Sequence, residues 1–164
     1  MAASDEYEYF VDLVCEGGGV KGIGLVGAFS LLEERGYKPQ NLAGTSAGAI
    51  TAALIAAGYS AAELKDIIFG LDFRQFEDRS WEDRIPGVGK GLSVLVEEGV
   101  FKGDAFLNWM RKLLADKGVH TFADLKTEWT DAKYSSRLQV IASDTSARQL
   151  LVLPRDAQQL GYAP

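Results

Sequence analysis

From Pro39 to Ala62 the chain carries no charged side chain, and in the middle of that run stands Gly44-Thr45-Ser46-Ala47-Gly48. A run this long without charge has the length of a membrane span. It also holds Gln40, Asn41, Thr45, Ser46, Thr51 and Ser60, and it is rich in Gly and Ala where a span favours Leu and Ile. Its period breaks at the glycines: Asn41-Leu42-Ala43 reads as a short buried strand, and Ala49 to Tyr59 as a helix of small and aliphatic residues. A strand that turns straight into a helix through G-x-S-x-G holds its serine at the apex of a sharp turn, which only small flanking residues allow. Gly44, Ala47 and Gly48 are small. Ser46 is therefore expected at the carboxyl end of a strand, above the positive end of a helix, where a developing negative charge is favoured.

The segments around this turn extend the pattern. Phe10 to Cys15 is a β-rich run that reads as the first strand, buried on both faces, and Glu16 and the glycine cluster Gly17-Gly18-Gly19-Val20-Lys21-Gly22 follow it directly. Ile23, Leu25, Val26, Phe29, Leu31 and Leu32 predict a helix from about Gly22 to Arg35, with Glu33, Glu34 and Arg35 outside and Gly36 as its stop. Strand, Gly-rich loop, helix, strand, turn and helix in this order predict an α/β protein with a parallel sheet. Ser60-Ala61-Ala62-Glu63 is a capping box for a short helix to about Phe69. Asp104 to Lys117 carries a helical apolar stripe of Phe106, Leu107, Met110, Leu113 and Leu114, and Thr121 caps a turn through Leu125. Arg137 to Ser143 and Gln149 to Leu153 predict a hairpin around Asp144-Thr145-Ser146-Ala147-Arg148, after which the chain is polar. The stretch from Leu71 to Gly103 mixes aromatics, charges and glycines without a period and reads as an irregular excursion over the site. No repeat or linker divides the 164 residues, so residues 10–70 and 104–154 are read as the core of a single domain.

Composition narrows the function classes. A net charge of −6 and an isoelectric point near 4.8 argue against a nucleic-acid surface, and contact with a membrane would run through apolar loops. One cysteine, Cys15, excludes an internal disulfide framework and a zinc cluster, and it reads as a small buried hydrophobe. The acidic start Met1-Ala2-Ala3-Ser4-Asp5-Glu6 shows no secretion signal, so the expected setting is cytoplasmic, with peripheral contact at membranes. No spacing of acidic residues supports a metal: Glu77-Asp78 and Glu97-Glu98 read as solvated surface. Trp81, Phe101 and Trp109 read as packing aromatics, with contact to lipid as the alternative.

The glycine loop has two readings. Gly17-x-Gly19-x-x-Gly22 and Gly22-x-Gly24-x-x-Gly27 both fit a dinucleotide-binding fingerprint. That site needs a carboxylate at the end of the second strand to hold the ribose. Gly44-Thr45-Ser46 stands there instead, and Glu33 and Glu34 lie on the helix. In the other reading, successive N–H groups of the loop form an oxyanion hole, which needs glycines so that the main chain can approach a negative oxygen. Two such motifs at the ends of adjacent strands converge on one reacting carbonyl.

Taken together, Gly17-Gly18-Gly19-Val20-Lys21-Gly22 after one strand and Gly44-Thr45-Ser46-Ala47-Gly48 after the next resemble the amino-terminal half of patatin-like phospholipases, from about Asp12 to Gly58, with a weaker match at Val140-Ile141-Ala142-Ser143-Asp144. The resemblance implies a three-layer α/β/α fold with a mainly parallel central sheet and hydrolysis of lipid acyl esters through an acyl-enzyme, with no cofactor and a phospholipid or related ester as partner. It implies Ser46 as nucleophile and Gly17, Gly18, Gly19, Val20, Lys21 and Gly22 as the oxyanion hole, with Lys21 adding positive potential or lying on the surface.

That family pairs its serine with an aspartate in an Asp-Gly-Gly or Asp-Gly-Ala motif, and no Asp-Gly pair occurs in this chain. Asp144 and Asp156 are the nearest in order, Asp144 reading as a turn residue, and His120 is the one histidine, on a connection beside a helix cap. Three accounts follow: the amino-terminal part of a longer enzyme, a short protein completed by another chain, or a non-catalytic lipid-binding or interaction module. The ending after the hairpin points to the first. A serine without a base is a weak nucleophile, so the chain alone is expected to have little activity.

Overall fold

The computed structural model describes residues 9–18, 22–70, 103–125 and 136–162. Its elements in chain order are β1 (Tyr9–Cys15), α1 (Gly22–Glu34), β2 (Tyr37–Thr45), α2 (Ala47–Ala56), α3 (Ala61–Phe69), α4 (Asp104–Asp116), β3 (Leu138–Asp144) and β4 (Gln149–Leu153), with 3-10 turns over Phe122–Leu125 and Ala157–Leu160. The strands are ordered β1-β2-β3-β4; the first three are parallel, and β4 returns antiparallel to β3. The expected α/β architecture with a mainly parallel sheet is therefore present. The uncharged run is divided among β2, α2, the turn after it and the start of α3, and among the described residues no helix is long and apolar enough to cross a membrane.

Parallel neighbours joined by right-handed crossovers place α1 and α2 on the same side of the sheet. The core lies there: Cys15, Leu42 and Leu138 from the strands meet Val26 and Phe29 of α1, Ala52 to Ala56 of α2 and Leu64 of α3. This corrects the expectation that β1 is buried on both faces. Val11, Leu13 and Cys15 alternate with the outward residues Phe10 and Val14, which are 53% and 84% exposed, because all the described helices that pack on the sheet do so on the other side.

The second strand is also longer than expected, nine residues in place of three. Its first half pairs with β1 through an irregularity: Val11 faces Pro39 and Leu13 faces Leu42, so β2 contributes an extra residue there. Asp12 holds that place by accepting from the Asn41 N–H at 3.1 Å and from Asn41 Nδ2 at 2.9 Å. Arg137, just before β3, donates from Nε to the Gln40 carbonyl at 2.9 Å, from one terminal nitrogen to the Pro39 carbonyl, and from the other to the Ala56 carbonyl at 3.3 Å. Its charge is solvated by main-chain carbonyls, and burial lowers its pKa. These bonds join the beginning of β2 and the end of α2 to the start of β3.

The local signals behave as the sequence predicts. Gly36 leaves α1 at φ 77°, and Gly58 ends the α2 turn at φ 93°. Ser60 Oγ accepts from the Glu63 N–H while the Glu63 carboxylate accepts from the Ser60 N–H, and Glu33, outside on α1, accepts from the Ala61 N–H at 2.7 Å. Lys117 Nζ lies 2.8 Å from Glu63 Oε1 and 4.5 Å from the centre of the Tyr59 ring, and the Tyr59 hydroxyl donates to the Leu113 carbonyl, so α3 is tied to α4. In contrast, α4 buries none of its residues: Leu107 is half exposed although it belongs to the apolar stripe. After Pro154 the chain is polar as expected, yet Asp156 and Ala157 are buried.

The Lys117 ammonium and the two Ser60 groups hold the Glu63 carboxyl down at about 2, from 4.5 when unperturbed. A carboxyl depressed on folding stabilises the fold above its unfolded pKa, and that contribution is lost as pH falls through the folded one. Glu63→Gln is therefore expected to melt below wild type at pH 6, with the difference closing between about pH 4.5 and 2. Thermal melting across that window checks it; a difference that does not change with pH would assign the effect to helix capping alone.

Candidate active site

Thr45 ends β2 and Ala47 begins α2, so the whole change of direction falls on Ser46. The helix starts two residues earlier than its composition predicts, because no spacer separates strand from helix. Ser46 takes φ 52° and ψ −129°, a conformation that a residue with a side chain holds only under constraint from its surroundings. It is the N-cap of α2, yet its hydroxyl makes no cap hydrogen bond. A serine in that position ordinarily accepts from the first turn. Here the first turn is tied to the Ser46 carbonyl by the Ala49 and Ile50 N–H groups, and the hydroxyl is exposed. The N–H groups of Ala47 and Gly48 have no acceptor within the helix and carry its positive end, a pair of donors that the motif reading did not single out.

The glycines of the motif explain how this turn is packed. A Cβ on Gly44 would lie 2.5 Å from the Gly48 carbonyl oxygen, so β2 and α2 close on each other through bare backbone. A Cβ on Gly48 would overlap the carbonyl oxygens of Cys15 and Glu16, which brings the start of α2 directly onto the end of β1. Gly17 follows at once, and a Cβ there would be 2.9 Å from Ser46 Cβ and 3.6 Å from Ser46 Oγ. The two motifs therefore meet. Gly22, the first residue of α1, faces Ala47 across 3.9 Å from its Cβ position, and Gly18 is exposed beside Gly17. Gly19, Val20 and Lys21 lie outside the described residues, as do Trp81, Phe101, the acidic pairs and the excursion from Leu71 to Lys102.

The second dinucleotide fingerprint falls inside a helix: Gly22, Gly24 and Gly27 all belong to α1 and form no loop. For the first, no carboxylate stands at the end of β2, and Glu33 is engaged with the start of α3.

Ser46 also lines a cavity of about 1070 Å³ bounded chiefly by α2, α3, α4 and β3. Its walls are apolar side chains such as Ile50, Leu54, Ile68, Met110 and Val140, and Trp109 lines it. The sequence reading placed these residues in helices and, for Val140, a strand without finding the space between them; the uncharged small residues of α2 and the exposed stripe of α4 are the signals that bear on it.

Two of the proton acceptors considered from the sequence, Asp144 and Asp156, are otherwise engaged. Asp144 accepts from the Ala147 N–H at 2.9 Å within the hairpin. Asp156 accepts from the Val152 N–H at 2.8 Å and is paired with Arg155 at 2.7 Å, which holds its carboxyl at about 2. His120 lines the cavity, with its backbone N–H bonded to Asp124. Among the described residues none of them hydrogen-bonds to Ser46 Oγ, and no group of three or more His, Cys, Asp or Glu is placed to hold a metal ion. Cys15 is buried, and burial pushes its thiol pKa up, which leaves it inert.

Three comparisons relate the chain to known proteins. The sequence matches the patatin-like phospholipase family over residues 13–158. It is 37% identical over 155 residues to the uncharacterized protein YqhO of Bacillus subtilis (strain 168), covering 94% of this chain and 50% of that protein. The chain thus spans about half the length of that curated relative. Its fold resembles that of the type III effector protein ExoU, with a TM-score of 0.50 and 23% identity over 89% of this chain and 36% of the other. With both glycine motifs inside the matched region and joined in space at Ser46, the chain belongs to the patatin-like phospholipase family.

Proposed function

We propose that the protein is a serine-dependent lipid acyl hydrolase that cleaves fatty-acyl esters through an acyl-enzyme. The observation that carries this reading is the placement of Ser46: apex of a constrained turn, hydroxyl unused as a cap, against Gly17 and lining an apolar cavity. Ser46 Oγ attacks the ester carbonyl, and the carbonyl oxygen becomes an oxyanion that takes hydrogen bonds from N–H groups of the loop from Gly17 to Gly22, assisted by the amino end of α2. Collapse expels the alcohol and leaves Ser46 acylated; water then attacks, and the fatty acid departs. Each half needs a base for the attacking oxygen. The family's aspartate motif has no counterpart in these 164 residues, so we assign them the nucleophile and oxyanion half of the machinery and little activity alone. A cytoplasmic enzyme meeting its substrate at a membrane surface fits this reading.

A fluorophosphonate probe tests it. In the full-length protein the expected product is a covalent adduct on the peptide containing Ser46, found by mass spectrometry. An adduct on another residue would remove Ser46 from the mechanism, and absence of any adduct would favour a lipid-binding module without catalysis.

A further inference from the structure

Ser46 is the apex of two legs. β2 runs up to it from Gln40 over about 20 Å of strand, and α2 runs from it to Ala56 over about 15 Å of helix packed back on that strand. The open ends of the legs are closed by one side chain from far along the sequence. Arg137 donates to the Pro39 and Gln40 carbonyls near the start of β2 and to the Ala56 carbonyl at the end of α2. The other carbonyls of the last turn of α2 are taken locally: Ala53, Leu54 and Ile55 accept from the N–H groups of Ala57, Tyr59 and Gly58. The Ala56 carbonyl is the one that Arg137 serves, and the cation there also meets the negative end of the helix. Arg137 has a fixed base of its own, since its carbonyl accepts from the Leu42 N–H at 2.9 Å and its N–H donates to the Leu125 carbonyl at 3.1 Å.

We infer that Arg137 is a positioning residue for Ser46, a clamp across the open ends of β2 and α2 that holds the turn at their apex. The inference rests on Ser46 being the nucleophile. A residue at φ 52° and ψ −129° keeps that conformation only while its surroundings impose it. The close approach of Gly44 to Gly48 acts about 3 Å along the helix from the apex, whereas the tie at Ala56 acts at about 15 Å, on an arm about five times as long. A slip of about 1 Å at Ala56 turns α2 by about 4°. Both legs are hydrogen-bonded elements, so that rotation is taken up at Ser46, and its Oγ moves relative to Gly17, where the oxyanion loop begins. Lysine does not replace the clamp, because an ammonium lacks the planar fork that reaches both legs at once.

The test is Arg137→Gln and Arg137→Lys in the full-length protein, assayed on one ester well below their melting temperatures. Rates are referred to the number of serines that a fluorophosphonate labels at completion, so that unfolded molecules do not count. Both variants are expected to lose about 10-fold or more in kcat per labelled serine, with KM within about twofold of wild type because Arg137 does not line the cavity. An arginine that only stabilises the fold gives a lower melting temperature with wild-type kcat per labelled serine, and that result overturns the inference. So does a loss confined to KM. If the glutamine variant does not fold, the lysine variant, which keeps a cation and a donor, carries the same comparison. Should wild type hydrolyse no ester, the hydrolase reading falls, and the clamp is then decided by amide hydrogen exchange in Arg137→Lys. Faster exchange at Ala49 and Ile50, whose N–H groups bond the Ser46 carbonyl, with α1 unchanged upholds it. Exchange that rises only near Ala56, or equally throughout the protein, or not at all, overturns it.

Discussion

Replacing Ser46 separates stability from activity in opposite directions. Ser46→Ala in the full-length protein is expected to lower ester hydrolysis by about 1000-fold or more, since removing a nucleophile leaves only what the oxyanion donors and binding supply. Ser46→Gly is expected to be as inactive and yet more stable than wild type by about 1 kcal/mol. The reason is the φ of 52° at this residue, which disfavours any side chain and suits glycine. Alanine relieves nothing, because it keeps a Cβ in the same conformation. Glycine also loosens the unfolded chain, which removes part of the gain. Urea titration and ester assays on the two variants check this. If the glycine variant unfolds at or below the wild-type midpoint, the turn is not constrained; if the alanine variant retains activity, Ser46 is not the nucleophile.

The turn itself was readable in the sequence because it is local. Gly44, Ser46 and Gly48 act within one turn, as do Ser60 with Glu63 and the hairpin from Asp144 to Arg148, and each formed where composition placed it. What escaped depends on distant partners. The strand read from Asn41 to Ala43 extends back through Pro39 and Gln40, where Asp12 on β1 and the Arg137 guanidinium from far along the chain hold it. The open face of β1 follows from the side on which the helices pack, which no run of Phe, Val and Leu announces. The cavity is likewise a product of packing: Ile50, Leu64, Met110 and Leu138 come from four separate elements, and the space between them is a property of none. The meeting of the two glycine motifs could be expected from adjacent parallel strands. Its physical cause, a glycine contact between α2 and the end of β1, required the structure.

That contact makes Gly48 the position where a single methyl group is expected to do most structural damage. The Cβ of Gly48→Ala falls on the carbonyl oxygens of Cys15 and Glu16, which are backbone atoms with no rotamer to yield. The start of α2 must then lift from β1, or the end of β1 must move. Either shift is expected to destabilise the fold by about 3 kcal/mol, at the upper end for overpacking a rigid site. The damage is not confined to stability, because Gly17 follows Glu16 directly and rests against Ser46. A displacement of about 1 Å between nucleophile and oxyanion donors is expected to reduce kcat/KM about 100-fold in the molecules that remain folded. Gly27→Ala provides the contrast: its Cβ position in α1 has open space around it, so alanine is expected to stabilise the helix by about 0.5–1 kcal/mol and leave hydrolysis as in wild type. Denaturant titration and ester kinetics on both variants decide the matter. A Gly48→Ala protein with wild-type activity would mean that the seam between α2 and β1 does not position Ser46 against the loop.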